Sequence, residues 1–172
     1  MIQRRKSIHL KAWDYSAPAW YFVTICCANR AKLLGEIVDG EGNCVKHVPE
    51  EDIPSIGECA MRLSNIGSCC DTVLENCCAA EVSPRIDAYV IMPNHIHCII
   101  EVRGDRVSTD LGTFIRYVKS SCTRKIREDN PGITLWQKGY YEHIIRDDAD
   151  YSRIREYVEN NPAQWAHDTY FA

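Results

Sequence analysis

No stretch of this 172-residue chain approaches the roughly eighteen unbroken apolar residues that a membrane-spanning helix needs. The longest apolar runs, around Trp20 to Cys27 and Cys98 to Ile100, are strand-sized, so a soluble protein is expected. The basic start, Met1-Ile2-Gln3-Arg4-Arg5-Lys6, is followed by Ser7-Ile8-His9-Leu10-Lys11, which has no apolar core or cleavage site, and the cytoplasm is the expected compartment. There is no internal repeat and no low-complexity linker, and 45% hydrophobic against 26% charged residues excludes disorder, so residues 1–172 are expected to form a single domain. C-x-x-C spacing is also missing. The pairs Cys26-Cys27, Cys69-Cys70 and Cys77-Cys78 are adjacent, which does not let two thiolates grip one zinc ion without distant help. Ten cysteines without an export signal read as reduced, core-filling thiols rather than a disulfide framework.

The formal net charge of −4 argues against a generic nucleic-acid coat, but the charge is unevenly placed. Residues 36 to 87 hold eleven acids against three bases, Lys46, Arg62 and Arg85. Residues 103 to 127 hold seven bases against Asp105 and Asp110, and the first eleven residues add four bases more. A basic arm, a basic helix and an acidic middle suit a chain that grips a phosphate backbone on one face only; solvated helix faces are the alternative.

Trp20 to Cys27 is aromatic and β-branched and predicts a buried strand. Leu33 to Val38 and Cys44 to Val48 flank the turn-rich Asp39-Gly40-Glu41-Gly42-Asn43, which predicts a peripheral hairpin insert over residues 35–54. Apolar residues at Ile56, Cys59, Ala60, Leu63, Ile66, Cys70, Val73, Leu74 and Cys77 have helical spacing, predicting a helix from Ser55 to about Ala80. Strands follow over Ile86 to Met92 and His95 to Val102, broken by Pro93-Asn94 and expected to be antiparallel neighbours. Asp110 caps a helix to about Arg127 whose apolar face is Leu111, Phe114, Ile115, Val118, Cys122 and Ile126. Trp136 to Ile145 reads as extended, and Asp147-Asp148 opens a last helix ended by Asn161-Pro162. This order predicts an α+β fold, a ferredoxin-like sandwich: one antiparallel sheet with helices on one face, plus the C-terminal helix, after a basic arm over residues 1–19.

His95-Ile96-His97 lies in a strand, where side chains alternate, so both imidazoles point the same way. Such a pair can form an open metal platform completed by an oxygen from elsewhere, or it can be a hydrogen-bonded structural pair. Tyr157 and Asn161, four apart on the last helix, share a face beside the apolar stripe of Ile154 and Val158. Taken alone, Asn161 also suits a helix end and Tyr157 a half-buried core position.

Three ordered blocks go further. Asp87-Ala88-Tyr89-Val90-Ile91-Met92-Pro93-Asn94-His95-Ile96-His97-Cys98-Ile99-Ile100, the tryptophan block Leu135-Trp136-Gln137-Lys138-Gly139-Tyr140-Tyr141-Glu142-His143-Ile144-Ile145-Arg146, and Asp150 to Pro162 resemble the HUH single-tyrosine transposases, in particular the REP-associated tyrosine transposases. Tyr21-Phe22-Val23-Thr24-Ile25-Cys26 fits that family's first strand. The resemblance implies a metal-dependent endonuclease that cuts and rejoins single-stranded DNA near hairpins through a 5′-phosphotyrosine. It implies Tyr157 as nucleophile, His95, His97 and Asn161 as metal ligands, and Mg²⁺ or Mn²⁺ as the ion. Single-stranded or hairpin DNA is the expected partner. A homodimer that exchanges the tyrosine helix and a monomer both remain open.

Arg4, Arg5 and Lys6 on the arm and Arg116, Lys119, Arg124 and Lys125 on the basic helix are the candidate DNA contacts. His143 is a candidate supporting residue, structural or DNA-facing. Tyr117 is the rival nucleophile, although Phe114 and Val118 beside it suggest packing. Trp13, Tyr15 and Trp20 are candidates for stacking on bases, with core packing the alternative for Trp20. A histidine-triad hydrolase is discounted because position 99 is Ile99. A non-catalytic protein that only holds hairpin DNA is the alternative function.

Overall fold

The computed structural model describes residues 13–44, 59–104 and 109–167, so the arm carrying Arg4, Arg5 and Lys6 and residues 45–54 of the expected insert lie outside the described residues. Within them run β1 (Ala19–Cys26), β2 (Gly35–Val38), β3 (Ala60–Leu63), α1 (Asn65–Ala79), β4 (Arg85–Met92), β5 (His95–Val102), α2 (Leu111–Arg127), β6 (Tyr141–Ile145) and α3 (Asp148–Asn160).

Four strands form one sheet in the order β4-β5-β1-β6, every neighbouring pair antiparallel. With α1 and α2 between the strands, this is the expected ferredoxin-like α+β arrangement. The strands are long on β-branched and aromatic residues and are covered on both faces. Tyr21, Val23 and Ile25 of β1 and Ile96, Cys98 and Ile100 of β5 pack under Cys70, Leu74 and Cys77 of α1 and the six-residue apolar stripe of α2. On the opposite face, Ile99 packs with Ile154 and Val158 of α3, flanked by Phe22, Ala88 and Val90. The last helix therefore crosses the side of the sheet that α1 and α2 leave open. Asp110 caps α2 as expected, accepting from the Thr113 N–H at 2.9 Å.

Two sequence expectations are corrected. The helix expected from Ser55 begins instead at Asn65, capped by Ser64, whose Oγ accepts from the Gly67 N–H at 3.0 Å. Ala60–Leu63, which matched the helical spacing, forms β3; there Met61 and Leu63 turn inward while Ala60 and Arg62 are exposed, the alternation of a strand. Gly67 lets this helix start pack closely, because a Cβ there would come within 2.0 Å of the Leu34 carbonyl oxygen. Of the hairpin expected over residues 35–54, the described residues show a bridge, Val38 to Cys44, across the Asp39 to Asn43 turn. The ladder partner of β2 is β3, and Ile37 of β2 is buried with Met92 and Trp165.

The extended stretch from Trp136 is also interrupted. Leu135 to Gln137 pairs with the end of β1 through Ala28 N–H to Leu135 carbonyl and Gln137 N–H to Cys26 carbonyl, both 2.9 Å. The chain then loops out through Gly139 (φ 82°) before β6. The ten cysteines stand outside any disulfide, and six of them, Cys26, Cys27, Cys70, Cys77, Cys98 and Cys122, are buried.

Candidate active site

β5 begins at His95, directly after the Pro93-Asn94 turn from β4, and the period of two sends His95 and His97 to the face crossed by α3. Both rings are buried, and their Nε2 atoms are 2.9 Å apart. Burial pushes the His95 imidazole down to about 3, with the Arg30 charge adding to it, and burial with the His95 neighbour holds His97 well below the usual histidine range. Both are neutral at physiological pH, the form that ligates metal. Each ring is held from behind: Asn94 Oδ1 is 2.8 Å from His95 Nδ1, and Thr24 Oγ1, across the ladder on β1, is 2.9 Å from His97 Nδ1.

α3 brings the third component. Asp147 caps it, accepting from the Asp150 N–H at 2.8 Å, and Ile154 and Val158 seat it on the sheet. Its flank is fixed to β4 at Asp87, which accepts from the Tyr151 hydroxyl at 2.6 Å and from Arg155 at 3.2 Å. In this setting the half-buried Tyr157 places its hydroxyl 3.4 Å from His97 Nε2. Phe22 stacks on His97 with centroids 5.0 Å apart and meets the Tyr157 ring edge-on at 5.9 Å.

Asn161, at the C-terminal cap of α3, is 2% exposed, and among the described residues its Oδ1 is buried without a hydrogen-bond partner. A buried amide oxygen in that state costs about 1–3 kcal/mol. Beyond it, the 3₁₀ turn Asn161–His167 places buried Trp165 against His95, at 6.1 Å between centroids, with Lys32 Nζ 5.8 Å from the tryptophan ring.

These features suit a divalent ion. Two ligand atoms at right angles, each about 2.1 Å from one ion, lie about 3 Å apart, which is the separation of the two Nε2 atoms. The unmatched Asn161 Oδ1 is the kind of oxygen such an ion takes. Among the described residues no cluster of three or more His, Cys, Asp or Glu side chains competes for it.

The other expected site residues are placed elsewhere. His143, on the same face, bonds Asp150 at 2.8 Å in the first turn of α3 rather than the histidine pair. Arg116, Lys119, Arg124 and Lys125 are on α2, behind the sheet from Tyr157. Arg116 and Arg124 line a groove of about 850 Å³ between α2 and the segment around Trp136 to Tyr140. Lys119 is spoken for: its Nζ donates to the carbonyls of Gln137 at 2.7 Å and Gly139 at 2.8 Å, clamping that segment to the helix. Tyr117 is not the packing residue expected; it is 56% exposed on α2 and across the sheet from the histidines. Tyr15 stacks on Tyr21 and donates to Glu142 at 2.8 Å, and Trp20 packs edge-on against Tyr151, whereas Trp13 is exposed.

Sequence reasoning missed Thr24, Phe22, Asn94 and Trp165 as site residues. Thr24 and Phe22 share the parity of the site face within β1, but only the register Thr24 to His97 shows what they meet.

The family model described as "Transposase IS200 like" matches residues 64–161, which include β4, β5, α2 and α3. An "uncharacterized protein" of Haemophilus influenzae is 33% identical over 186 residues, covering 97% of this chain and 93% of the relative. A REP-associated tyrosine transposase of Escherichia coli is 32% identical over 81 residues, covering 46% of this chain and 45% of that protein, so the aligned part spans under half the length of that named relative. Among solved structures, a REP-associated tyrosine transposase bound to a REP hairpin superposes with a TM-score of 0.51 at 19% identity, covering 95% of this chain and 74% of that one, which shows a shared fold. With the histidine pair of β5 and the tyrosine of α3 both inside the matched segment, the chain belongs to the IS200-like transposase family.

Proposed function

We propose that the protein nicks and rejoins single-stranded DNA beside hairpins, with Tyr157 as nucleophile and His95, His97 and Asn161 holding a Mg²⁺ or Mn²⁺ ion. The observation that carries this reading is the Tyr157 hydroxyl 3.4 Å from His97 Nε2, with a buried Asn161 oxygen that has no partner among the described residues one helical turn further on. When bound, the ion would polarise a non-bridging oxygen of the scissile phosphate and favour the phenolate over the phenol. Phe22, edge-on to the Tyr157 ring, helps to hold its hydroxyl toward the histidines. The Tyr157 oxygen attacks phosphorus and gives up its proton; the P–O3′ bond breaks, and the departing strand takes up a proton as a free 3′-hydroxyl. The 5′ end stays on the tyrosine as a phosphodiester, so a second 3′-hydroxyl can reverse the step and reseal DNA without nucleotide hydrolysis.

Residues 1–172 act as one catalytic unit in this reading, and the tyrosine faces the histidine pair of its own chain, so a homodimer is not needed to complete the site. Arg116, Arg124 and Lys125, behind the sheet, are assigned to the backbone of the hairpin stem rather than to the scissile bond, with Arg4, Arg5 and Lys6 as a further arm on the stem. Lys119 is assigned a structural part, from its two carbonyl contacts. The solved neighbour that holds a REP hairpin makes such hairpins the first substrates to try.

The test is incubation with Mg²⁺ or Mn²⁺ and single-stranded hairpin oligonucleotides from DNA flanking the gene, read on a denaturing gel for a covalent protein–DNA band. The band is expected to form, to vanish with chelator, and to vanish in Tyr157→Phe while hairpin binding stays unchanged. Hairpin binding without a band in the wild type would support the non-catalytic binder instead.

A further inference from the structure

We infer that Asn94 is a positioning residue that fixes the tautomer of His95, leaving its Nε2 lone pair aimed at the point shared with His97; the inference deepens the metal-centre reading above and rests on it. Asn94 is 1% exposed and held at three points. Its main-chain carbonyl accepts from the Cys27 N–H at 2.8 Å, its Nδ2 donates to the Arg30 carbonyl at 3.3 Å, and its Oδ1 is 2.8 Å from His95 Nδ1.

The two ends of an asparagine amide are told apart by their partners. A main-chain carbonyl only accepts, so the end facing Arg30 must be the NH₂ group. The end facing His95 is then the oxygen, which also only accepts, so His95 Nδ1 must carry the hydrogen. A neutral imidazole has one N–H, and the Nε2 of His95 is therefore bare. The carbonyl at the root of this chain belongs to an unusual turn, because Asn29 and Arg30, neither of them glycine, both have φ of 54°. Non-glycine residues kept in the left-handed region concentrate where surrounding structure enforces a functional geometry.

His97 is held differently. Its Nδ1 faces the Thr24 hydroxyl at 2.9 Å, a group that can donate or accept, so the tautomer of His97 is free to change. With His95 Nε2 bare, the 2.9 Å between the Nε2 atoms is satisfied in two ways. Without an ion, His97 Nε2–H donates to His95 and Thr24 donates to His97 Nδ1; were His95 and His97 to hold a cation, His97 Nδ1–H would donate to Thr24 instead. One histidine is fixed and its partner adjustable. Holding an ion would then need a single hydrogen of His97 to move from Nε2 to Nδ1 through exchange with water, with the Thr24 hydroxyl turning from donor to acceptor.

The test is two-bond ¹H–¹⁵N correlation spectroscopy on protein with ¹⁵N-labelled histidine, first in chelator and then with Zn²⁺ as a diamagnetic probe. In chelator, His95 is expected to show a protonated Nδ1 and an unprotonated Nε2, and His97 a protonated Nε2; with Zn²⁺, His97 alone changes tautomer. Asn94→Ala is expected to mix the His95 tautomers and to weaken Mn²⁺ binding about 10–100-fold, whereas Asn94→Asp, whose carboxylate only accepts, keeps the Nδ1–H form. A wild-type His95 protonated at Nε2 overturns the inference, and so does Asn94→Ala with tautomer and Mn²⁺ affinity unchanged. If Asn94→Ala does not fold, the wild-type spectrum decides. The chelated spectrum needs no DNA cleavage, so an intact His95 tautomer with no covalent adduct would count against the catalytic reading alone.

Discussion

On one side of β5, Ile96, Cys98 and Ile100 meet the thiols and aliphatic side chains of α1 and α2; on the other, His95 and His97 meet Tyr157, Asn94 and Thr24. The two faces are equally dry, since all six residues from His95 to Ile100 are buried. What differs is how each face treats polarity. Toward α1 and α2 the thiols are kept uncharged: burial pushes Cys27 up to about 12 and Cys77 up to about 11, and holds Cys98 well above the usual thiol range. Such thiols pack as small apolar groups. Toward α3 the fold buries two imidazoles nitrogen to nitrogen and an amide oxygen with no partner among the described residues. Packing for stability alone does not call for two imidazoles set nitrogen to nitrogen beside a tyrosine hydroxyl, so this pairing marks where function was placed.

The contrast can be broken from either side. The largest loss of stability is expected on the apolar face: Ile96→Ala, at a fully buried position, should cost about 2–5 kcal/mol, measured by urea denaturation. On the other face an equally buried residue should behave oppositely. Asn161→Leu should change stability by no more than about 1 kcal/mol, because it relieves an unmatched oxygen worth about 1–3 kcal/mol. The backbone there is right-handed helical (φ −58°, ψ −40°) and does not oppose leucine. The same substitution should weaken Mn²⁺ binding and abolish the covalent adduct; a folded Asn161→Leu protein with full adduct formation would remove Asn161 from the site. The smallest effect is expected at the rim of the α2 groove. Arg124→Ala should leave stability within about 0.5 kcal/mol and lower the salt dependence of hairpin binding by about one unit of slope, read from affinities across a salt series.

Much of this contrast was legible in the sequence, for local reasons. The caps Asp110 and Asp147 and the apolar stripe of α2 declare themselves within a few residues, and the alternation of a strand is enough to put His95 and His97 on one face. The start of α1 was not legible, because Ala60 and Leu63, three apart, fit helical spacing over so short a stretch, and only the inward turn of Met61 and the Ser64 cap reveal the strand. Tyr117 misled because it adjoins Val118, yet one helical step of about 100° takes it off the buried stripe. Thr24, Phe22 and Trp165 join the site through pairings and packing across long stretches of chain, which one sequence does not record. Asn94 was visible only as a turn residue, since its role depends on the Arg30 carbonyl sixty-four positions away.

Tyr157 and the two histidines belong to one chain, with α3 tied down at Asp87, so their encounter is governed by folding rather than by collision. On the proposed reading, the effective concentration of nucleophile at the metal platform is a constant of the molecule. Turnover per molecule should then stay level as the protein is diluted at saturating DNA, and a few copies in a cell would each work at the full rate.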